Sequence, residues 1–265
     1  MPRFESGQFK PREPITVTAT NRAAAIGYED FRSLALQEGL SVYERIGFPN
    51  DYRQGHEAAI FEDIRKKLTN LDQANATVID IGPGCSDVPL ALIDLCKRMG
   101  HALTLIDSPE MLALLPDGPG LSKIAAMYPN CAQALTPLQG RVDAMLCYSV
   151  LHYILVDAAF FRFLDVSLSL LAPGGQFLIG DIPNTSKRKR FFASETGVRF
   201  HQEFMNTNDS PEVSFNQIEH DQIDDAVVMA LLQRSRAAGF DAYVVPQNPA
   251  LPMANRREDI LIIRP

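Results

Sequence analysis

The strongest constraint on the fold is a glycine turn that joins a short apolar run to a helical segment. The run TVIDIG spans residues 77–82 and is dominated by Val and Ile. Such a run is typical of a strand that is buried on both faces. The segment 88–100 that follows has a helical pattern and closes with Gly100, a residue common just past a helix C-terminus. A buried strand that leads through glycines into a helix predicts an α/β fold with a parallel sheet.

The same alternation continues along the chain. Further strands are predicted at 101–107, in SKIAAMY within 116–140, and at 142–150, 176–182, 241–247 and 258–265, with helices at 108–115, 157–171 and 224–240. About ten residues join the last two strands, which is too short for a parallel crossover, so this pair is predicted to be antiparallel. The sequence therefore predicts a seven-stranded, mostly parallel sheet that ends in an antiparallel strand pair.

The flanking segments have a different character. Residues 1–20 are polar and Pro-rich and are predicted to form a mobile arm. Residues 21–74 follow a helical pattern, broken by Gly, Pro and Asn at 47–55, and are predicted to form a helical cap on a main domain at 75–265. Residues 183–222 are polar and are predicted to be an irregular insertion above the strand ends.

Composition excludes several classes of protein. The chain has 265 residues, 46% of them hydrophobic, which is enough for a buried core and too apolar for a wholly disordered protein. The net charge of −7 argues against non-specific nucleic-acid binding, which needs a basic surface. The four cysteines form no C-x-x-C pair, so no metal site is predicted and a reducing compartment is favoured. No signal peptide or membrane span is evident, so a soluble cytoplasmic protein is expected.

The glycine turn also predicts a ligand that contains a nucleoside. Glycines let the backbone approach a ligand closely, and the following helix offers free N–H groups. Asp107 ends the next predicted strand, 25 residues beyond Gly82, where an acid usually binds ribose hydroxyls. A dinucleotide fingerprint would require Gly or Ala where this chain has Asp87, which makes that match poor. A turn with a purely structural role is the remaining alternative.

At these motifs the chain resembles the class I S-adenosylmethionine-dependent methyltransferases. VIDIGPG is similar to their first motif, and DAMLCYSVLHYI and LLAPGGQFLIGDI are similar to later ones. The resemblance spans about residues 75–265 and implies a doubly wound Rossmann-like fold with S-adenosylmethionine as cofactor. The cofactor-binding residues that it implies are Asp80, Gly82, Gly84, Cys85, Asp107, Ser108, Met111, Tyr148 and Ser149. One departure is the absence of an acid in Ala125–Tyr128, so the contact to the adenine amine is unassigned.

Three residues are candidates for proton transfer. His152 follows the fourth predicted strand, at the sheet edge where ligands bind, and imidazole accepts protons near neutral pH. Asp181 ends the fifth strand and could orient that imidazole, as the acid of a catalytic triad does. Plant-type small-molecule O-methyltransferases look similar at these two positions. Packing beside the cofactor is the competing role for His152, and His201 is an alternative base.

A basic run begins six residues after Asp181. Its candidate substrate-binding residues are Lys187, Arg188 and Arg190, with Arg199 further along. Basic groups in a cleft suit a carboxylate or a phosphate, and Arg can bind two oxygens at once. A solvated face, or a contact between subunits of a homodimer, is the competing role.

Together these features predict an enzyme that transfers a methyl group to oxygen, less readily nitrogen, of a small anionic metabolite. A nucleotide sugar or an acidic sugar is the favoured substrate, because GDIPNTSKRKRFF and ANRREDILIIRP resemble bacterial methyltransferases of surface-polysaccharide biosynthesis. The alternatives are a nicotinamide-dependent oxidoreductase, a non-catalytic cofactor-binding protein and an RNA methyltransferase. The basic run favours the last of these and the net charge opposes it.

Overall fold

A computed structural model describes residues 27–217 and 219–265, except for the side chain at position 51. The predicted mobile arm at 1–20 and the first residues of the predicted cap lie outside this part of the chain. Among the described helices, none combines the length and the apolar character needed to cross a membrane.

Seven described strands form one sheet in the order β3-β2-β1-β4-β5-β7-β6. The strands are β1 (Thr77–Ile81), β2 (Ala102–Asp107), β3 (Leu121–Ala125), β4 (Val142–Tyr148), β5 (Leu171–Pro183), β6 (Asp241–Val245) and β7 (Arg257–Ile263). The first five strands pair in parallel, and β7 lies antiparallel to both β5 and β6. This arrangement confirms the predicted mostly parallel sheet and its antiparallel pair.

Eleven helices occur in the described residues. They are α1 (Tyr28–Leu36), α2 (Val42–Arg45), α3 (Asn50–Arg53), α4 (Glu57–Lys67), α5 (Asp87–Met99), α6 (Pro109–Leu112), α7 (Leu151–Asp157), α8 (Phe160–Leu170), α9 (Thr185–Phe192), α10 (Glu195–Met205) and α11 (Asp225–Ala237). Single 3₁₀ turns at Thr69–Asp72 and Thr136–Leu138 complete the described secondary structure.

Helices cover both faces of the sheet, so its central strands β1, β4 and β5 are buried on both sides and have nearly continuous apolar sequences. On one face, Ile79 and Phe177 pack with Phe163 of α8 and Leu231 of α11. On the other face, Val78 and neighbouring strand residues pack with residues of α4 and α5. Two helix-terminus residues expected from the sequence have these roles in the structure. Ser108 accepts from the backbone N–H of Met111 and caps α6, and Gly100 ends α5 in a left-handed conformation.

The segment 183–222 differs from its prediction as an irregular insertion, because it contains α9 and α10. Each helix begins at a polar capping residue: Asn184 accepts from the N–H of Lys187, and Ser194 accepts from the N–H of Gly197. These helices contain many polar residues, so their sequences show little of the 3.6-residue apolar repeat that predicts a helix. Their aromatic residues, Phe191, Phe192, Phe200 and Phe204, contact one another rather than the main core.

The core packing predicts a large loss of stability for Phe163→Ala. Phe163 is fully buried, and its ring centroid lies 5.7 Å from that of Tyr128 and 6.0 Å from that of Phe177. Truncation would remove apolar contacts and leave a cavity, which typically costs about 3–5 kcal/mol. Urea unfolding should show the midpoint falling with an unchanged slope. The neighbouring Phe161 is 43% exposed, so a comparable loss in Phe161→Ala would contradict this assignment of the core.

Candidate active site

A cleft opens at the carboxyl ends of β1, β2 and β4, where the strand order reverses between β1 and β4. Its empty space, part of it continuous with solvent, is about 1050 Å³. The floor comes from the turns that follow these strands, including Gly82, Asp107 and Ser149. The roof comes from the N-terminal segment, including Tyr28 and Phe48. In open α/β sheets this position is where ligands bind.

The glycine turn is shaped by two close contacts. Gly82 and Gly84 both have φ of +66°, in the left-handed region that favours glycine. A Cβ atom at Gly82 would lie 2.7 Å from Cγ2 of Val150, and one at Gly84 would lie 2.7 Å from Cγ2 of Ile46. Any larger residue would therefore displace either the turn after β4 or the roof of the cleft.

Asp107 at the end of β2 holds this turn from the other side. Its Oδ2 accepts from the N–H of Gly84 at 3.0 Å, and its Oδ1 accepts from the N–H of Ser108 at 2.7 Å. Burial raises the pKa of Asp107 to about 6, against the lowering effect of these two N–H groups. Burial, together with the charge of Asp107, raises the pKa of Asp80 to about 8. Two carboxyl groups thus line a poorly solvated cleft, where hydroxyl or ammonium donors would stabilise their charged forms.

The roof is attached to the sheet by several polar contacts. Arg32 of α1 donates two hydrogen bonds to Glu110 of α6, at 2.9 and 2.7 Å. The backbone N–H of Tyr28 donates to Asp157 at 2.9 Å, and the hydroxyl of Tyr43 donates to Asp87 at 3.3 Å. These contacts fix the N-terminal helices over the glycine turn and over α6.

Arg53 connects the roof to the strand ends through a buried charge network. Its Nη2 donates to Oγ of Ser149 at 2.6 Å and lies 3.7 Å from Oδ2 of Asp181, while Nη1 lies 3.6 Å from Oε1 of Glu57. Its guanidinium also lies over the ring of Phe48, 4.4 Å from the centroid. Ser149 in turn donates to Asp181 at 2.5 Å. One guanidinium therefore bridges α4, the turn after β4 and the end of β5.

Residues of the final strand, β7, hydrogen-bond to Asp181. Arg257 donates to the backbone carbonyl of Asp181 at 2.9 Å and to its carboxylate at 3.2 Å. The fully buried Asp259 accepts from the N–H of Asp181 at 2.8 Å, from Gln247 at 3.0 Å and from Lys67 at 2.7 Å. Asp181 has a φ of +57° and lies where the β5–β7 register shifts. A residue other than glycine held in this conformation needs such support from its surroundings.

Most of the cofactor-binding residues predicted from sequence meet at this cleft. Those that line it are Asp80, Gly82, Gly84, Asp107, Met111, Tyr148 and Ser149. Ser108 is fully buried, and its hydroxyl is used to cap α6. Cys85 is buried beneath the roof, where its thiol donates to the carbonyl of Val42 at 3.8 Å. Neither of these two residues is among those that line the cleft.

The predicted pairing of His152 with Asp181 is absent. The side chain of Asp181 bonds to Ser149, Arg257 and Gln247. No hydrogen bond therefore supports the predicted role of Asp181 in orienting the imidazole of His152. Within the described residues, Nδ1 of His152 is buried without a hydrogen-bond partner. Burial and the charge of Arg257 lower the pKa of His152 to about 3, so its ring is neutral at pH 7. The other candidate base, His201, lies on α10 against the edge of Phe192.

The basic run does not form a continuous patch. Lys187 donates to the carbonyl of Arg257, Lys189 pairs with Glu219 at 3.2 Å, and Arg190 pairs with Asp225. Arg188 is exposed beside Phe192, with its guanidinium carbon 5.7 Å from the ring centroid. Arg199 is exposed on α10. The expectation that Lys187 and Arg190 are free to bind an anion is therefore corrected, because both are engaged by groups of the protein itself.

Several residues around the cleft had no clear signal in the sequence. Tyr28, Phe31, Phe48 and Tyr153 line it, and Arg257, Gln247 and Asp259 support it from β7 and the loop before that strand. The segment after β3, which has no acid, contributes Ala126 and Met127 to the lining of the cleft. Arg257, Gln247 and Asp259 each contact Asp181 across a long stretch of sequence, so no local motif identifies them.

Comparisons with known proteins place the fold. No family model matches the chain, and no curated protein matches its sequence. Among solved structures, the plantazolicin methyltransferase BpumL in complex with a monoazolic desmethylPZN analog and SAH has 13% identity and a TM-score of 0.54, covering 89% of this chain and 96% of its own. The N-methyltransferase NodS from Bradyrhizobium japonicum WM9, in complex with S-adenosyl-L-homocysteine, has 14% identity and a TM-score of 0.52, covering 89% and 97%.

A SAM-dependent methyltransferase from Aquifex aeolicus has 14% identity and a TM-score of 0.51, covering 84% of this chain and 97% of its own. At these identities the likeness concerns the fold. The chain has the Rossmann-like fold of class I methyltransferases, as the sequence motifs implied.

The buried network predicts that Arg53→Ala loosens the roof. Glu57 and Asp181 would each lose a cationic neighbour, and breaking a buried ion pair in this way costs on the order of 3 kcal/mol. Hydrogen exchange should become faster in α1 to α4 than in the sheet. Lys66→Ala removes an exposed cation of α4 that, in the described part of the chain, pairs only with the exposed Glu62 and should change that exchange little. Equal exchange in wild type and Arg53→Ala would show that Arg53 does not hold the roof.

Proposed function

We propose that the protein is an S-adenosylmethionine-dependent methyltransferase that acts on a small molecule. The observation that carries this proposal is the contact between Gly84 and Asp107 at the sheet's switch point, in a chain with the class I methyltransferase fold. A turn that approaches the ligand through its backbone, opposite an acid that can accept from ribose hydroxyls, is the arrangement that a nucleoside needs.

The described residues fit the two ends of this cofactor. At the nucleoside end, Asp107 would accept from the ribose, and Met111, Ala126 and Met127 offer apolar surface to the adenine. At the amino-acid end, the carboxyl of Asp80 has no described donor and would accept from the ammonium group. Arg53 is the arginine among the residues that line the cleft, it bonds to Ser149 after β4, and it would attract the carboxylate.

The bound cofactor would supply an electrophilic methyl group on a sulfonium. Its transfer would require an electron pair from the acceptor atom, and the sulfur would leave with the electrons of the carbon–sulfur bond. The protein contributes alignment and exclusion of water, because donor and acceptor must be collinear. The roof built from α1 to α3 serves both purposes, and its aromatic residues Tyr28, Phe31 and Phe48 leave room for a small acceptor.

His152 remains our candidate to take the proton from an acceptor hydroxyl. With a pKa of about 3 its imidazole is too weak a base to ionise a free hydroxyl, but the oxygen becomes strongly acidic as its bond to the methyl group forms, so the proton would move late in the transfer. Its ring is neutral, its Nδ1 has no described partner, and its neighbour Tyr153 lines the cleft, with the two ring centroids 3.8 Å apart. Asp181 acts in this proposal by holding Ser149 and Arg53 rather than by orienting the imidazole. Oxygen is thus the favoured methyl acceptor and nitrogen the second choice.

We propose an anionic metabolite as the substrate class, with a sugar nucleotide or an acidic sugar as the specific substrate.

Calorimetry with S-adenosylhomocysteine and with NAD tests the cofactor. We expect micromolar binding of S-adenosylhomocysteine and none of NAD, and the reverse result would establish the oxidoreductase alternative. Asp107→Asn should weaken S-adenosylhomocysteine binding about 10- to 100-fold, because charged hydrogen bonds contribute about 1.5–3 kcal/mol. Asp94→Asn, an exposed change of the same kind on α5, is the control and should bind normally.

The raised pKa of Asp107 adds a pH dependence to this binding. Above pH 6 the carboxylate is ionised and accepts from both ribose hydroxyls. As the pH falls below about 6, the carboxyl becomes protonated in the unliganded protein, and affinity should decline. An affinity that stays constant from pH 7 to pH 5 in wild type would contradict this role for Asp107.

For catalysis, His152→Ala should lower turnover roughly 100-fold while cofactor affinity is kept. Turnover can be followed as labelled methyl transferred from S-adenosylmethionine to a pool of small metabolites. Because the pKa of His152 is about 3, the wild-type rate should show no acidic limb near pH 6.5 that belongs to this residue. Unchanged turnover accompanied by lower stability would assign His152 to packing instead.

A further inference from the structure

Two arginines at the outer side of Asp181 have no acidic partner. Within the described residues, the side chain of Arg256 hydrogen-bonds only to Asn255, its neighbour in the chain, at 3.0 Å, and neither Arg256 nor Arg188 makes an ion pair. The nearby carboxylate of Asp181 is already used by Ser149, Arg53 and Arg257. Positive charge therefore accumulates here without a carboxylate to balance it.

The guanidinium of Arg256 lies over two aromatic rings. Its central carbon lies 5.9 Å from the ring centroid of Phe192 and 5.9 Å from that of Phe200. The same ring of Phe192 carries Arg188 at 5.7 Å. Arginine stacked on aromatic faces keeps the donors at its edge free and oriented, which suits bidentate binding of an oxyanion.

The electrostatics of Arg256 agree with this geometry. Burial is the main cause that lowers the pKa of the Arg256 guanidinium; Tyr52 opposes it, Arg257 and Arg188 lower the pKa further, and Asp181 has the smallest opposing effect. A cationic group that is partly desolvated among other cations is destabilised unless a negative ligand approaches it. Of the groups that act on Arg256, Tyr52 belongs to the roof and Asp181 already has other partners.

The location connects this cluster to the cleft. Arg257, the residue after Arg256, donates to Asp181, and Asp181 in turn accepts from Ser149, which lines the cleft. Tyr153 lines the cleft, and the residue before it is His152, whose Nδ1 has no described hydrogen-bond partner. The arginines are thus connected to Ser149, at the edge of the cleft, through Arg257 and Asp181.

We propose that Arg188 and Arg256, set against Phe192 and Phe200, form an oxyanion subsite that binds a carboxylate or phosphate group of the methyl acceptor. This inference rests on the proposed function for its biological meaning, and it assigns substrate recognition to one member of the basic run together with a residue outside it. The other members of that run, Lys187, Lys189 and Arg190, instead attach α9 to the rest of the protein.

Anion titration of the full-length protein tests the subsite. Benzoate and inorganic phosphate are the probes, added at constant ionic strength while the arginine Nε–H resonances are followed by NMR. We expect saturable binding in wild type and at least fivefold weaker binding in Arg256→Gln and in Arg188→Gln. Tighter binding of benzoate would indicate a carboxylate acceptor, and tighter binding of phosphate a phosphate ester.

The control is Arg162→Gln, an exposed arginine of α8 with no described partner, which makes the same change in charge and should bind the probes like wild type. Wild-type affinity in both Arg256→Gln and Arg188→Gln would overturn the subsite. If Arg256→Gln fails to fold, the exposed Arg188→Gln decides the question.

Titration with S-adenosylhomocysteine separates this proposal from the proposed function. Binding in wild type and in both variants, with anion affinity unchanged by the variants, would reject the subsite alone. Absence of S-adenosylhomocysteine binding in wild type would reject the proposed function, and the anion titration would still judge the subsite.

Discussion

The buried carboxylate of Asp181 is the constraint on which the arrangement of the site depends. A carboxylate removed from water is stable only when cations and hydrogen-bond donors surround it. Here the donors are Ser149, Arg257 and Gln247, and Arg53 is the second cation. Because these groups come from the turn after β4, from β7 and the loop before it, and from the N-terminal helices, satisfying one side chain brings three separate parts of the chain together.

This requirement explains why the antiparallel end of the sheet contributes to the site. Only a strand running opposite to β5 brings its first residue, Arg257, to the edge where β5 ends. Asp259, two residues further, has the same orientation, reaches the backbone N–H of Asp181 and is itself neutralised by Lys67 of α4. The left-handed conformation at Asp181 is thereby supported through the sheet as well as through the roof.

The distribution of charge places arginines beside the candidate site of an acidic chain. The net charge of −7 is an average in which Arg53 and Arg257 surround the buried carboxylate of Asp181 at the end of β5. The aromatic residues of α9 and α10 contact a further arginine, Arg256, in a partly desolvated position. Recognition of a negatively charged acceptor is consistent with such an arrangement, even though the protein as a whole would repel it.

The sequence by itself determined the sheet, the glycine turn and the residues beside that turn. Strand and helix periods are local, and Gly82, Gly84 and Asp107 have recognisable spacing because one turn and one strand end must meet the same ligand. The helices of 183–222 escaped prediction because they pack mainly through their own aromatic residues and carry a polar sequence.

Only the tertiary structure decided the rest of the site. Arg53 meets Ser149 across 96 residues, and no local pattern records such a contact. The basic run looked like one surface in the sequence, yet successive residues of a helix point in different directions, and acids at 219 and 225 neutralise two of its four charges. Which charges remain free depends on where the distant acids fold, and that is settled by packing rather than by spacing along the chain.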